Sequence, residues 1–231
     1  MLKLMKLEIK KFKMSRYLKG VLIANLIILG VLFIVVYGSK TNTDTVLSNY
    51  NDVAFVVGTF VRATFSIFAA GLLSRIIIGE YKSKTISILF LYPINRKKIM
   101  VAKLAIIVIF TFAAMVLSSI FLNFSLYILN IFVNFITVPL TGDVLIKNLI
   151  NIVVYSAVFA FVSLIPLYLG MRRKSGSATI ITSVILVSLL NNGSKGHTLT
   201  SIIIIPIILA FIGVATAYLS IKDVEKADLV N

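Results

Sequence analysis

The chain has 231 residues, 59% of them hydrophobic, and a mean hydropathy of +1.05. That much apolar surface cannot be hidden in one soluble core, which excludes an ordinary soluble domain and points to a polytopic membrane protein. The formal net charge of +15 is gathered in runs between apolar stretches, which reads as membrane orientation and not nucleic-acid binding, and the absence of Cys excludes disulfides and thiolate chemistry.

Residues 1–19, MLKLMKLEIKKFKMSRYLK, carry seven cations and one acid. Leu2, Met5, Ile9 and Phe12 recur at helical spacing, and Lys3, Lys6, Lys10 and Lys13 fall on another face. This predicts a basic amphipathic helix lying in the cytoplasmic headgroup layer. A solvated basic leader is the alternative, and direct abutment on a spanning segment favours the interfacial helix. The segment does not read as a cleavable signal, because the apolar run after it is of full spanning length.

Gly20–Ser39 is uncharged and long enough for a first span. A polar loop follows, and a second span runs from about Val53 to Ile78. The 39 uncharged residues from Leu104 to Gly142 admit either two tight spans or one long one. One span over about Ile99–Phe124, with 125–147 outside, keeps the later cluster MRRK (171–174) on the inside. Asn123, Asn130, Asn134, Pro139 and Gly142 then belong to an irregular outer connection. The fourth span is about Lys147–Gly170, the short fifth about Ser175–Leu190, and the sixth about Ser201–Ser220.

Charge bias tests this arrangement. Inside segments hold 17 of the Lys and Arg residues, outer loops hold three (Lys40, Lys147, Lys195), and Arg62, Arg75 and Lys103 lie within or beside spans. The expectation is an all-α, multi-pass protein of the cell membrane. It has six transmembrane helices in a single domain over 1–231, an amphipathic entry helix over 1–19, a cytoplasmic loop over 79–98 and both termini in the cytoplasm.

Catalytic chemistry is not legible. All eight acids fall in loops, tails or span edges, whereas a proton-driven carrier would show one within a span. The single His, without Cys or acids near it, makes no metal site. GEYKSKT (79–85) ends as a P-loop does but lacks its Gly spacing, so this chain is expected to hydrolyse no ATP. Arg62 is the polar oddity of the second span and shares a helical face with Thr59, Ser66 and Ala69. Arg62 and Ser66 read as a translocation path or a dimer seam. The alternative is an interfacial Arg62 that snorkels outward because the helix begins after Val53.

Residues 79–99, GEYKSKTISILFLYPINRKKI, pose a different question. Their apolar core is too short to span, and the charge bias puts it in the cytoplasm. It is either a partner site or a segment lying in the headgroup layer.

The stretch GEYKSKTISILFLYPINRKKIMVAKL (79–104) resembles the cytoplasmic loop of type 2 ABC exporter permeases. Glu80, Thr85, Pro93, Arg96 and Lys103 fall on that family's pattern of an acid, a turn before Thr, a short coupling helix and a Pro-x-x-Arg step into the third span. Lys84 stands where the family usually has Gly.

The resemblance implies a permease that pairs with a second copy or a homologue and with cytosolic ABC ATPase subunits. ATP and Mg would be bound by the ATPase, and no cofactor by this chain. It also implies that Ile86, Leu89 and Phe90 anchor the coupling helix in an ATPase groove, while Glu80, Lys84 and Arg96 set register through charge pairs. The expected cargo is an apolar or amphipathic peptide of the bacteriocin or cytolytic kind, in a bacterial cell membrane, and the chain itself is no enzyme. A membrane anchor or sensor that binds a signalling partner without transport is the alternative. A membrane enzyme is a third class, disfavoured by the missing acids and Cys.

Overall fold

A computed structural model describes residues 2–11, 15–41, 49–82, 96–133, 136, 141–191, 193–194, 197–198 and 204–226. The long apolar runs are helical, because a backbone in hydrocarbon can satisfy its N–H and C=O groups only within its own segment or a closed sheet. In chain order the helices are α1 (Leu2–Lys11), α2 (Ser15–Thr41) and α3 (Tyr50–Leu73), then a π-helical turn (Ser74–Ile78) that runs into α4 (Gly79–Lys82). They continue with α5 (Arg96–Val133), α6 (Gly142–Val162), α7 (Ile165–Arg172), α8 (Gly176–Asn191) and α9 (Ile204–Lys226). After α8, β1 (Gly193–Ser194) pairs antiparallel with β2 (His197–Thr198).

Among the described residues, five stretches are long and apolar enough to cross a membrane: Tyr17–Gly38, Tyr50–Tyr81, Lys97–Phe132, Gly142–Arg172 and Ile204–Lys222. The apolar α8 has 16 residues and rises roughly 24 Å, somewhat less than the ~30 Å hydrocarbon core. This is the polytopic all-α architecture expected from sequence, with the fifth of six expected spans the short one.

Several boundaries differ from expectation: α3 begins at Tyr50 and α6 at Gly142, which was expected in an irregular connection. The third span does not give way to irregular chain after Phe124, since α5 stays helical to Val133. Asn123 and Asn130 are therefore helical residues and not part of an irregular connection. Asn123 Nδ2 donates back to the Ser119 carbonyl (2.8 Å), and Asn130 Oδ1 accepts the Ile136 N–H (2.9 Å). A side-chain amide that satisfies itself on nearby backbone does not break a helix.

The chain divides into two compact units. One comprises Met1–Met14, Phe65–Phe112 and Val158–Asn231. Its core is built on Leu72, Leu73, Ile77, Ile78, Ile107 and Leu167, all almost fully buried. Ser183 Oγ on α8 donates to the Ser66 carbonyl of α3 (3.1 Å). Small residues let the elements of this unit approach closely, as helices in membranes do. A Cβ at Gly170 would overlap Thr179 and Ile78, and one at Gly176 would overlap Ser74 of the π turn.

The chain between α6 and α7 bends at Ser163–Leu164 because Pro166 lacks an N–H and its ring collides with the carbonyl four residues back. The α7–α8 connection is a tight left-handed turn. Lys174 has φ +47°, its N–H bonds to the Met171 carbonyl, and the Ser175 N–H bonds to that of Gly170. This is the Schellman arrangement, which usually places Gly in the left-handed position. A side chain there costs roughly 1 kcal/mol.

The second unit comprises Ser15–Thr64 and Ala113–Ala157. Leu32, Val57, Val61, Met115 and Leu122 form its buried core. Asn25 Nδ2 on α2 donates to Ser118 Oγ on α5 (2.9 Å), a buried bond of the interhelical kind expected for the scattered polar residues of the spans.

Gly213 on α9 offers a test of close packing, because a Cβ there would collide with the Phe161 carbonyl. Backbone cannot swing aside as a side-chain tip can. Gly213→Ala is expected to destabilise the protein by about 1–3 kcal/mol. Gly30→Ala, where a Cβ meets nothing within 4 Å, is expected to be neutral or stabilising by about 0.5–1 kcal/mol. Thermal unfolding midpoints in detergent separate the two, and equal midpoints would contradict the packing.

Candidate functional site

The segment singled out in the sequence runs between α4 and α5. Of its expected site residues, Lys84, Thr85, Ile86, Leu89, Phe90 and Pro93 lie outside the described residues. Glu80 stands on α4 at the head of the segment, and Arg96 is the first residue of α5 at its tail.

Glu80 is buried and held from two sides. Lys11 Nζ at the end of α1 donates to Oε1 (2.7 Å), and Lys103 Nζ on α5 donates to Oε2 in a short bond. Lys103 also faces Glu8 Oε1 on α1 at 3.8 Å. Lys103 is only 2% exposed, whereas Lys11 is 43% exposed. Two carboxylates and two ammonium groups therefore form a formally neutral cluster. Neutrality is what makes the burial tolerable, because an isolated ion in low dielectric would cost several kcal/mol.

Local sequence explains why these side chains meet. On α1, Glu8 is 9% exposed while its neighbour Ile9 is 44% exposed. The amphipathic helix turns its one acid inward and presents Ile9 outward. This refines the apolar face read from sequence, which grouped Ile9 with Met5 and did not assign Glu8 a direction.

The π turn adds one residue to the helical ladder just before Glu80, and the Gly79 N–H reaches the Ser74 carbonyl. An added residue rotates everything after it about the helix axis, so the π turn helps set where Glu80 points. Sequence reading gave Glu80 a charge pair at a partner's rim. Its two oxygens instead face lysines of this chain.

Glu8, Lys11 and the clamping role of Lys103 were missed. Their signal was isolation: Glu8 is the lone acid before Asp44, Glu80 the lone acid between Asp52 and Asp143, and Lys103 the lone cation between Lys98 and Lys147. Solitary opposite charges in an apolar chain have few partners but each other.

Arg62 forms a second polar site. The helix α3 begins at Tyr50 and not after Val53, and Arg62 stands roughly 18 Å along it. It is 8% exposed. Nη2 donates to Thr59 Oγ1 (3.2 Å), and the guanidinium carbon lies 5.1 Å from the Tyr155 ring centroid on α6. A cation over a desolvated phenol ring is stabilised by up to about 2 kcal/mol. Gly58 leaves room for the guanidinium, since a Cβ there would fall 2.9 Å from Nη1. Ser66 is 1% exposed.

A cavity of about 380 Å³ opens in the same unit as Arg62. Val53, Ile120, Phe124, Leu126, Leu149 and Ile152 make it apolar, and Tyr50, Asn123, Tyr127 and Asn148 supply polar edges. Tyr50 and Tyr127 rings pack 6.5 Å apart, and Asn130 Nδ2 donates to the Tyr50 hydroxyl (3.0 Å). Such a space suits an apolar group with a few hydrogen-bonding atoms. Among the described residues no group of three or more His, Asp or Glu side chains could hold a metal.

The cluster makes a quantitative prediction. Lys103→Met leaves buried carboxylates without their counter-charge and is expected to destabilise the protein on the order of 3–5 kcal/mol. Lys11→Gln, at a half-exposed position, should cost about 1 kcal/mol or less. Glu80→Gln combined with Lys103→Met should recover part of the loss. Thermal unfolding of the purified variants checks this ordering, and equal effects of Lys103→Met and Lys11→Gln would overturn it.

Comparison with known proteins agrees with the geometry. A family model described as ABC-2 family transporter protein matches residues 4–191. A protein of Bacillus subtilis (strain 168), "Uncharacterized protein YcbO", is 38% identical over 225 residues, covering 97% of this chain and 99% of the relative. No solved structure matches. The length and quality of the family match, together with apolar helices long enough to span a membrane, establish that this chain belongs to the ABC-2 family of transporter proteins.

Proposed function

We propose that this chain is the permease subunit of an ATP-driven exporter that moves an apolar or amphipathic peptide. Family membership makes the coarser statement directly: the chain is a multi-pass transmembrane subunit of an ABC transporter, partnered with an ABC ATPase and not itself the ATPase. The coupling to the ATPase rests on one observation. Glu80, at the head of the segment between α4 and α5, is joined to both α5 and α1 through buried ion pairs.

In this reading residues 83–95 form the cytoplasmic coupling segment. Ile86, Leu89 and Phe90 anchor it in a groove of the ATPase, because apolar side chains desolvated at the centre of an interface carry most of its affinity. Lys84, Thr85, Pro93 and Arg96 shape its ends and add charge at the rim. Glu80 acts as an internal clamp and not as a rim contact.

ATP-driven closure of the ATPase subunits, which bind ATP and Mg²⁺, then moves the segment. The Glu80–Lys103 pair passes that displacement to α5, and Lys11 and Glu8 pass it to α1. Rigid transmission of this kind needs an element that does not yield under load. A buried ion pair meets that need better than an exposed one, which water and salt would loosen.

The scarcity of charge in the spans and the largely apolar 380 Å³ cavity support an apolar or amphipathic cargo. Arg62, cradled by Thr59 and Tyr155, is assigned to the translocation path, where it would attract an anionic group of the cargo. A second permease copy or a homologue completes the transporter. Both termini are assigned to the cytoplasm of a bacterial cell, a placement that the clustering of Lys and Arg in one set of connections supports.

Copurification tests the coupling. The permease should bring down an ABC ATPase, and Leu89→Asp with Phe90→Asp should reduce the recovered ATPase at least tenfold. Full recovery by the double variant would sink the docking role. Absence of any ATPase would favour an anchor or sensor.

Orientation is tested separately with reporter fusions. Fusions at Gly142 and Lys195 should read outside, and those at Lys97 and Lys174 inside. An inside signal at Gly142 would reverse the assignment of the α5–α6 connection.

A further inference from the structure

The turn between α7 and α8 carries three consecutive cations, Arg172, Arg173 and Lys174, all exposed. Arg75 of the π turn is exposed as well. It follows Ser74, the residue that Gly176 meets at the start of α8. Among the described residues none of these four forms an ion pair. Glu8 and Glu80, acids of the same unit, are buried and face Lys103.

Two observations place these cations at the margin of the hydrocarbon. Leu169, Ile180 and Ile181 are exposed apolar residues within two turns of helix on either side. The connection is also short, with only Arg173, Lys174 and Ser175 between α7 and α8. Its hydrogen bonds fold it back onto Gly170 and Met171. Cations so tethered sit at headgroup level and do not project far beyond it.

Backbone conformation adds an independent argument. Lys174 occupies the left-handed position where Gly would be better tolerated. A lysine there costs backbone stability and adds a third cation to the turn.

We propose that Arg172, Arg173 and Lys174, with Arg75, form a binding surface for the phosphate headgroups of anionic phospholipids in the inner leaflet. Lipid phosphate bound there would lie against the π turn through Gly176 and Ser74, and so beside the element that leads to Glu80. The proposal rests on the inward placement of residues 171–174 given above. The binding measurement below is indifferent to orientation, so failure of one can be told from failure of the other.

The test uses the full-length protein in nanodiscs holding equal amounts of phosphatidylglycerol and phosphatidylcholine, with retained lipids counted by native mass spectrometry after detergent release. Wild type should retain phosphatidylglycerol in excess. Each cation near the surface contributes roughly a fivefold preference. Arg172→Gln/Arg173→Gln/Lys174→Gln should therefore reduce the excess on the order of 100-fold. Lys10→Gln/Lys19→Gln, which removes two exposed cations of the basic segment 1–19, should reduce it by a clearly smaller factor.

Lys174→Gly guards against misfolding. It should raise the thermal midpoint, by relieving the left-handed position, while lowering the phosphatidylglycerol excess roughly fivefold. Equal retention of the two lipids by wild type would overturn the proposal, and so would an unchanged excess in the triple variant. An equal loss in Lys10→Gln/Lys19→Gln would show a general charge effect and overturn it too. If the triple variant keeps its lipid but loses an ATPase subunit, the surface binds acidic protein and the lipid assignment falls.

Discussion

A buried charge in an apolar protein must find its opposite, and that constraint organises the part of this structure nearest to function. Glu80 closes the second apolar stretch, Lys103 stands near the start of the third, and Glu8 is the one acid of a basic helix. Apart, each would carry a desolvation cost of several kcal/mol. Together they fix three elements, α1, α4 and α5, at one point. The fixed point lies at the root of the segment proposed to receive the ATPase. A hinge or stalk there can transmit displacement only if its own geometry does not relax, and a desolvated ion cluster resists relaxation more than apolar contacts that slide.

Within each unit the packing is close, because lipid offers helices no hydrophobic reason to associate. Association depends on contact and on polar bonds between helices. Gly170, Gly176 and Gly213 admit neighbouring atoms where a Cβ would collide. Asn25 reaches Ser118, and Ser183 reaches the Ser66 carbonyl. The π turn belongs to the same logic. It costs regular hydrogen bonding, and in return it redirects the helix before Glu80 and meets the small residues that open α8.

Arg62 shows how a modest boundary change alters a functional reading. A helix starting after Val53 would let the guanidinium escape to the interface. The helix starts at Tyr50 instead, and Arg62 is buried where Thr59 and the Tyr155 ring receive it. Tyr155 lies 93 positions away in the chain, so no local pattern could name it. The same holds for Ser66, which shares Arg62's helical face in sequence and whose backbone carbonyl accepts a bond from Ser183 of α8.

Much was legible from the residues alone. Apolar runs long enough to span, divided by cation-rich connections, determined an all-α polytopic membrane protein, since bilayer thickness and unsatisfied backbone leave few other solutions. The stretch from Glu80 to Lys103 carried the resemblance to exporter permeases, and family membership agrees. What only the tertiary structure decided is which isolated charges meet. It turned Glu80 inward to Lys11 and Lys103, continued α5 through Asn130, and held Lys174 in a left-handed turn. Hydropathy and charge counts act along one dimension, whereas ion pairing and close packing depend on the rotation of each helix about its axis. A single inserted residue at Ser74–Ile78 changes that rotation without leaving a mark in composition.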